Sequence, residues 1–175
     1  MNIFILDPSP TISASYHCDQ HLHKMILESA QMLSTAGYHW FPNLRPFLYK
    51  PAYSHHPCTE WVKHSKANMA WVISLCHELE SIRLDHNHPD HASMEIIKMI
   101  SDNVDPNSWS HHSPFPEAMP AIFKLRTSIS TVEKYKLYYR WKHNQWVLDK
   151  GKGMTYKDRP LPYFMLSSIV SNLFN

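Results

Sequence analysis

Residues 15–37 read SYHCDQHLHKMILESAQMLSTAG, and their spacing decides the fold. Leu22, Met25, Ile26, Ala30, Leu33 and Ala36 recur at steps of three and four, the period of a helix buried on one face. Ser and Thr residues at 9–15 offer N-caps, and Gly37 suits a C-cap, so a helix is predicted from about Ser15 to Ala36. At 100° per residue, His17, His21, Lys24 and Glu28 fall within about 60° of one another, with Gln31 extending the same edge. Two imidazoles, an amine and a carboxylate thus share one stripe. A plain solvated face is one reading, with Lys24 and Glu28 an ion pair worth about 0.3–0.5 kcal/mol. Solvated faces are usually rich in Lys, Glu and Arg, however. Imidazoles beside a carboxylate are what proton transfer or metal binding requires.

Working outward, Ile3-Phe4-Ile5-Leu6 is a short β-prone run ended by Asp7-Pro8-Ser9-Pro10, too short to seed a sheet. Residues 38–57 form a long aromatic and Pro-rich loop. A second helix is expected from Pro57 to Leu84, with Pro57 in its first turn. A short helix over 90–102, a polar loop over 103–118 and a third long helix from Met119 to Trp146 follow. Gly151 and Gly153 mark a break before a terminal helix over 161–174. The expected fold is all-α: a compact single-domain bundle of three main helices plus short helices, with a short extended N-terminal segment, over residues 1–175.

A chain of 175 residues with 43% hydrophobic content can bury a core without staples. Its three glycines leave no Gly-rich phosphate loop. Cys18, Cys58 and Cys76 have no metal-ligand spacing and point to a reducing compartment. The N-terminus lacks a signal-peptide pattern, and no apolar run approaches the ~20 residues that cross a bilayer. A monomeric cytoplasmic protein, without a membrane partner, is the expectation. Net charge is only +2, but fourteen histidines can add positive charge beside phosphates.

The pattern Asp19-Gln20-His21-Leu22, then Glu28 after five intervening residues, resembles the opening of the first long helix in pyrimidine-dimer DNA glycosylases, the phage-type endonuclease V enzymes. His56 stands where that family has a histidine at a helix start. Tyr135-Lys136-Leu137-Tyr138-Tyr139 is similar to its Tyr/Lys-rich DNA-contacting segment. His17-Cys18-Asp19-Gln20-His21 and His55-His56-Pro57 also resemble HCDKH-like and NHP-like motifs of divergent phage relatives. The resemblance implies a small all-α enzyme acting on double-stranded DNA with damaged or modified bases, without metal or cofactor, in a bacterial or phage-infected cell. It implies that a main-chain α-amine attacks C1′ of the damaged nucleotide and that β-elimination cuts the strand. Carried over, Met1 supplies the amine, Glu28 the carboxylate, and His21 positions phosphate or sugar. His17, Gln20, Lys24, His56, Tyr135, Lys136, Tyr139 and Arg140 would contact substrate. An α-amine as a class titrates at roughly 7.7–8, so a usable fraction is unprotonated near neutrality. Two family arginines beside the glutamate are replaced here by Leu27 and Gln31, which moves part of the substrate grip elsewhere, with Lys24 one place for it.

Other constellations leave alternatives. His86, His88 and His91 could ligate a metal, though exposed His-rich turns are common. The segment from Lys134 to Lys142 is aromatic and basic around more than one helix face, which suits base stacking and phosphate contact or burial under the C-terminal segment. Lys150, Lys152, Lys157 and Arg159 suit a basic loop on phosphates. Against the glycosylase stand a metal-dependent hydrolase using His17, His21 and Glu28, and a non-catalytic nucleic-acid or protein-binding phage factor.

Overall fold

In a computed structural model of the chain, residues 1–166 are described. Eight α-helices order them: α1 (Pro10–Ser15), α2 (Asp19–Trp40), α3 (Pro57–His64), α4 (Lys66–Asp85), α5 (Met94–Ser101), α6 (Ala121–Lys124), α7 (Thr131–Lys150) and α8 (Tyr163–Leu166). Two 3-10 turns, Pro42–Phe47 and Pro106–His111, fill the long loops. The protein is all-α, with no strand among the described residues. The terminal helix expected over 161–174 lies mostly outside those residues.

Helix boundaries follow local chemistry. Tyr16 and His17 turn between α1 and α2, and Cys18 is extended, so α2 begins at Asp19 rather than Ser15. His17 therefore precedes the helix that carries His21, and the predicted four-residue stripe starts one member late. At the other end the helix runs through Gly37 to Trp40. A Cβ at Gly37 would lie 2.7 Å from Leu48 Cδ1, so this glycine lets the following loop pack closely and does not cap the helix.

The second predicted helix divides in two. Ser65 is extended, and its hydroxyl accepts the amide of Asn68 at 3.1 Å, which ends α3 and caps α4. The third begins at Thr131, because Ser130 accepts the amide of Glu133 at 3.2 Å in a Ser-x-x-Glu cap. Gly151, at φ +67°, closes it. Residues 119–130 hold only the single turn of α6.

Helix α2 packs on α3, α4 and α5, and α4 also carries α1 and the 106–111 turn. The N-terminal run forms no strand. It threads into the core, with Ile3, Ile5 and Leu6 wholly buried and Phe4 nearly so. One cluster of buried apolar side chains reaches from Ile3 to Phe164. No helix among the described residues is long and apolar enough to cross a membrane.

Candidate active site

The burial of Ile3–Leu6 draws the chain's first nitrogen against α2. The Met1 side chain is seated inside, with its sulfur 3.7 Å from the Thr59 hydroxyl. The Asn2 amide donates to Glu28 Oε2 at 2.7 Å, and the Met1 ammonium lies 3.8 Å from the same oxygen. Asn2 locks this arrangement with its side chain. Its Oδ1 accepts the amides of Ile3 and Phe4 at 2.8 and 2.9 Å, and its Nδ2 donates to Ala118 O at 2.6 Å. Phe4 is held at φ +50°, a left-handed conformation that costs a β-carbon residue about 1–3 kcal/mol and gathers at functional sites.

A polar hollow of about 110 Å³ opens at this point, lined by Met1, Asn2, Phe4, His21, Lys24, Met25, Glu28, Tyr138 and Lys142. Lys24 Nζ approaches Glu28 Oε1 at 3.6 Å, so the carboxylate has a cation beside each oxygen. A larger hollow, lined by His77, Glu80, Asp90, His91 and neighbours, shares no residue with it.

His21 is buried, stacks on Phe4 at 4.9 Å between ring centres and meets Trp146 edge-on at 5.3 Å. Burial, with His17 and Lys24 adding, holds its pKa well below the usual value. The ring is neutral at pH 7. Tyr139 Oη lies 2.7 Å from His21 Nδ1 and accepts the Cys18 amide at 2.9 Å. A neutral ring accepting the tyrosine proton at Nδ1 carries its own proton on Nε2, leaving His21 a donor.

His56 caps α3, its Nδ1 accepting the Cys58 amide at 3.2 Å. Burial first, then the chain's ammonium group, lowers its pKa, while Glu28 opposes both. It therefore senses the same pocket electrostatically. Met1, His21, Lys24 and Glu28 are brought together, with His56 coupled to them.

The remaining candidates fall elsewhere. His17 is wholly buried, with Nδ1 2.8 Å from Ser13 O and Nε2 3.2 Å from Ile3 O. A neutral ring donates from one nitrogen only, and the shorter contact makes Nδ1 that donor. Burial is the main cause that takes its pKa down to about 4. Gln20 is exposed and accepts the Thr155 amide at 3.1 Å.

Tyr135 and Tyr139 point inward and have no exposed surface. Tyr135 donates to Pro116 O at 2.8 Å. Lys136 is buried between Glu133 and Tyr163, 2.7 Å from each, and Arg140 lies buried beside Phe164 O. This part of the aromatic-basic segment is covered by its neighbours, because its cations find anions and carbonyls that permit burial. Tyr138, Trp141 and Lys142 are its half-buried aromatic and basic members instead, as is Trp146 one turn beyond it.

Sequence reasoning misses Asn2 and Phe4, and it has Lys142 only as the end of a segment suited to phosphate contact or burial, not as a residue of this pocket. A signal for Lys142 was available: Tyr138, Lys142 and Trp146 repeat at four-residue steps and so share one helix edge.

Among the described residues, no group of three or more His, Cys, Asp or Glu side chains stands as a metal-ligand set. His86 Nδ1 is taken up by Ile82 O at 2.7 Å, and His91 Nδ1 accepts the Ser93 amide at 3.1 Å. The three cysteines are buried and unpaired.

Comparison with curated proteins and with solved structures gives no match. A family model described as pyrimidine dimer DNA glycosylase matches residues 1–91, just over half of the chain, and so covers Met1, His21, Lys24, Glu28 and His56. The chain belongs to the pyrimidine dimer DNA glycosylase family, whose members are glycosylase/AP lyase enzymes acting on damaged DNA.

Proposed function

We propose that this protein is a DNA N-glycosylase with an associated AP lyase activity, working on damaged or modified bases in double-stranded DNA through its N-terminal amine. The supporting observation is the 3.8 Å separation of the Met1 nitrogen from Glu28 Oε2 within one polar hollow. A nucleophile beside a carboxylate able to shuttle its proton is the pairing this chemistry needs.

The amine lone pair attacks C1′ of the target nucleotide. The glycosidic bond breaks, and the base leaves with the bonding electrons and takes a proton from solvent. Glu28 accepts the proton shed by the amine and delivers it to the ring oxygen as the sugar opens, which yields a protonated imine. Glu28 then removes a C2′ proton, the C3′–O bond breaks, and the 3′ phosphate departs with the electron pair. Water hydrolyses the imine and restores the amine.

His21, neutral with Nε2–H available, positions a phosphate or sugar oxygen without adding a buried charge. Lys24, exposed beside Glu28, offers a cation to the backbone in place of the missing arginines. The buried Tyr135, Tyr139 and His17 support the pocket from behind and do not meet the bases. Residues 1–175 act as one domain, in keeping with the apolar cluster that spans Ile3 to Phe164.

Borohydride trapping on a duplex with one abasic site tests the reading. A covalent protein–DNA adduct is expected, lost when the α-amine is acetylated in a Lys142→Arg background. Failure of the wild-type protein to form any adduct overturns it.

A further inference from the structure

Lys142 sits on α7, one turn after Tyr138 and one turn before Trp146. It lies beyond the residues that match the family, yet it lines the same hollow as Met1 and Glu28. Three rings surround its ammonium: Nζ lies 5.9 Å from the centre of Phe4, 5.8 Å from Tyr138 and 5.9 Å from Trp146. Lys24 pairs with Glu28, whereas no ion pair engages Lys142 among the described residues.

The ring faces hold the ammonium in place, while half-burial and a second cation, Lys24, in the same hollow favour release of its proton to give a nucleophilic amine. The electrostatics agree. Burial first, then Lys24, lowers the Lys142 pKa; Glu28 works against this, and Lys150 adds to it.

We propose that Lys142 is a second Schiff-base-forming amine of this pocket, directed at the C1′ aldehyde of an abasic deoxyribose in DNA. This rests on the pocket's being a glycosylase/lyase site, and it goes beyond that reading by giving the site two independent nucleophiles. The Nζ lone pair forms a bond to C1′, and the carbonyl oxygen takes one proton from the attacking amine and one from solvent and leaves as water, giving a protonated imine. A C2′ proton passes to Glu28, the C3′–O bond breaks, and the 3′ phosphate leaves with the electron pair. Water then releases the sugar aldehyde and regenerates the amine. The α-amine acts on damaged nucleotides and on abasic sites alike; Lys142 adds a second lyase nucleophile at sites that have already lost their base.

The experiment is a map of where the DNA attaches. Wild-type protein is trapped with borohydride on an abasic duplex, digested with protease, and its sugar-bearing peptides are identified by mass spectrometry. Adducts are expected on both the N-terminal peptide and the peptide holding Lys142, the second carrying about a tenth of the total or more. Lys142→Arg removes the second adduct and retains the first. Attachment at the N-terminal peptide alone overturns the second nucleophile and leaves the glycosylase reading standing. No adduct at all overturns both. The wild-type map decides the matter even where the variant folds poorly.

Discussion

Asn2 and Glu28, twenty-six residues apart in the chain, are joined by a 2.7 Å hydrogen bond from the backbone amide of one to the carboxylate of the other. That bond places Glu28 Oε2 beside the Met1 nitrogen, so the carboxylate is a structural acceptor and, in the proposed mechanism, also the base.

Glu28→Gln separates the two roles. The amide oxygen still accepts from Asn2, so the thermal midpoint stays close to wild type. Loss of the shuttling carboxylate lowers strand nicking by about 100-fold or more. Nicking of ultraviolet-irradiated supercoiled plasmid measures this; unchanged nicking would remove Glu28 from the chemistry.

Asn2→Ala deletes three side-chain hydrogen bonds, two that hold the turn at Ile3 and Phe4 and one that ties it to Ala118. At roughly 1 kcal/mol each, the loss is about 2–3 kcal/mol. Urea unfolding gives this number. Under conditions where the variant remains folded, nicking also falls, because the amine is no longer held beside its base.

Tyr139→Phe strips one hydroxyl from two buried partners, the Cys18 amide and His21 Nδ1. Each of the two polar groups left unsatisfied costs about 1–3 kcal/mol. The freed His21 ring also loses its fixed tautomer. The expected signature is a lower urea midpoint together with a raised KM, and a variant as stable as wild type would contradict the assignment.

His17 makes the fold sensitive to acid. Its ring titrates at 6.5 when exposed in the unfolded chain, and burial takes it down to about 4 in the folded one. Below pH 6.5 the unfolded state binds a proton that the folded state refuses, so stability falls from there until about pH 4. The loss is about 3 kcal/mol across that window. His21 moves in the same direction. Urea midpoints between pH 7 and 4 show the slope, and His17→Gln makes it shallower.

The helical class and the pairing of His21 with Glu28 were legible because helical periodicity is a local property. Boundaries failed where a single polar side chain decides them: Ser65 splits one expected helix and Ser130 delays another. Gly37 misled because its role is close contact with Leu48, which lies in another element. His17 shared the stripe by arithmetic, but Cys18 is extended and breaks the helix that the arithmetic assumed. Burial of Lys136 and Arg140 against Tyr163 and Phe164 is one of the two readings the segment allowed, whereas the partners of Tyr135 and Tyr139, Pro116 and Cys18, lie outside the helix and left no local signal. Asn2 and Lys142 enter the pocket only through tertiary packing.

The first residues of most domains fray readily. In this protein Ile3, Phe4, Ile5 and Leu6 belong to the core. Separating the Met1 nitrogen from Glu28 is therefore expected to require cooperative unfolding rather than fraying of the terminus. On the proposed chemistry, activity and native-state population are expected to coincide: residual activity in denaturant should superimpose on the loss of helical signal, and amide exchange at Ile3 and Ile5 should be as slow as in the middle of α2.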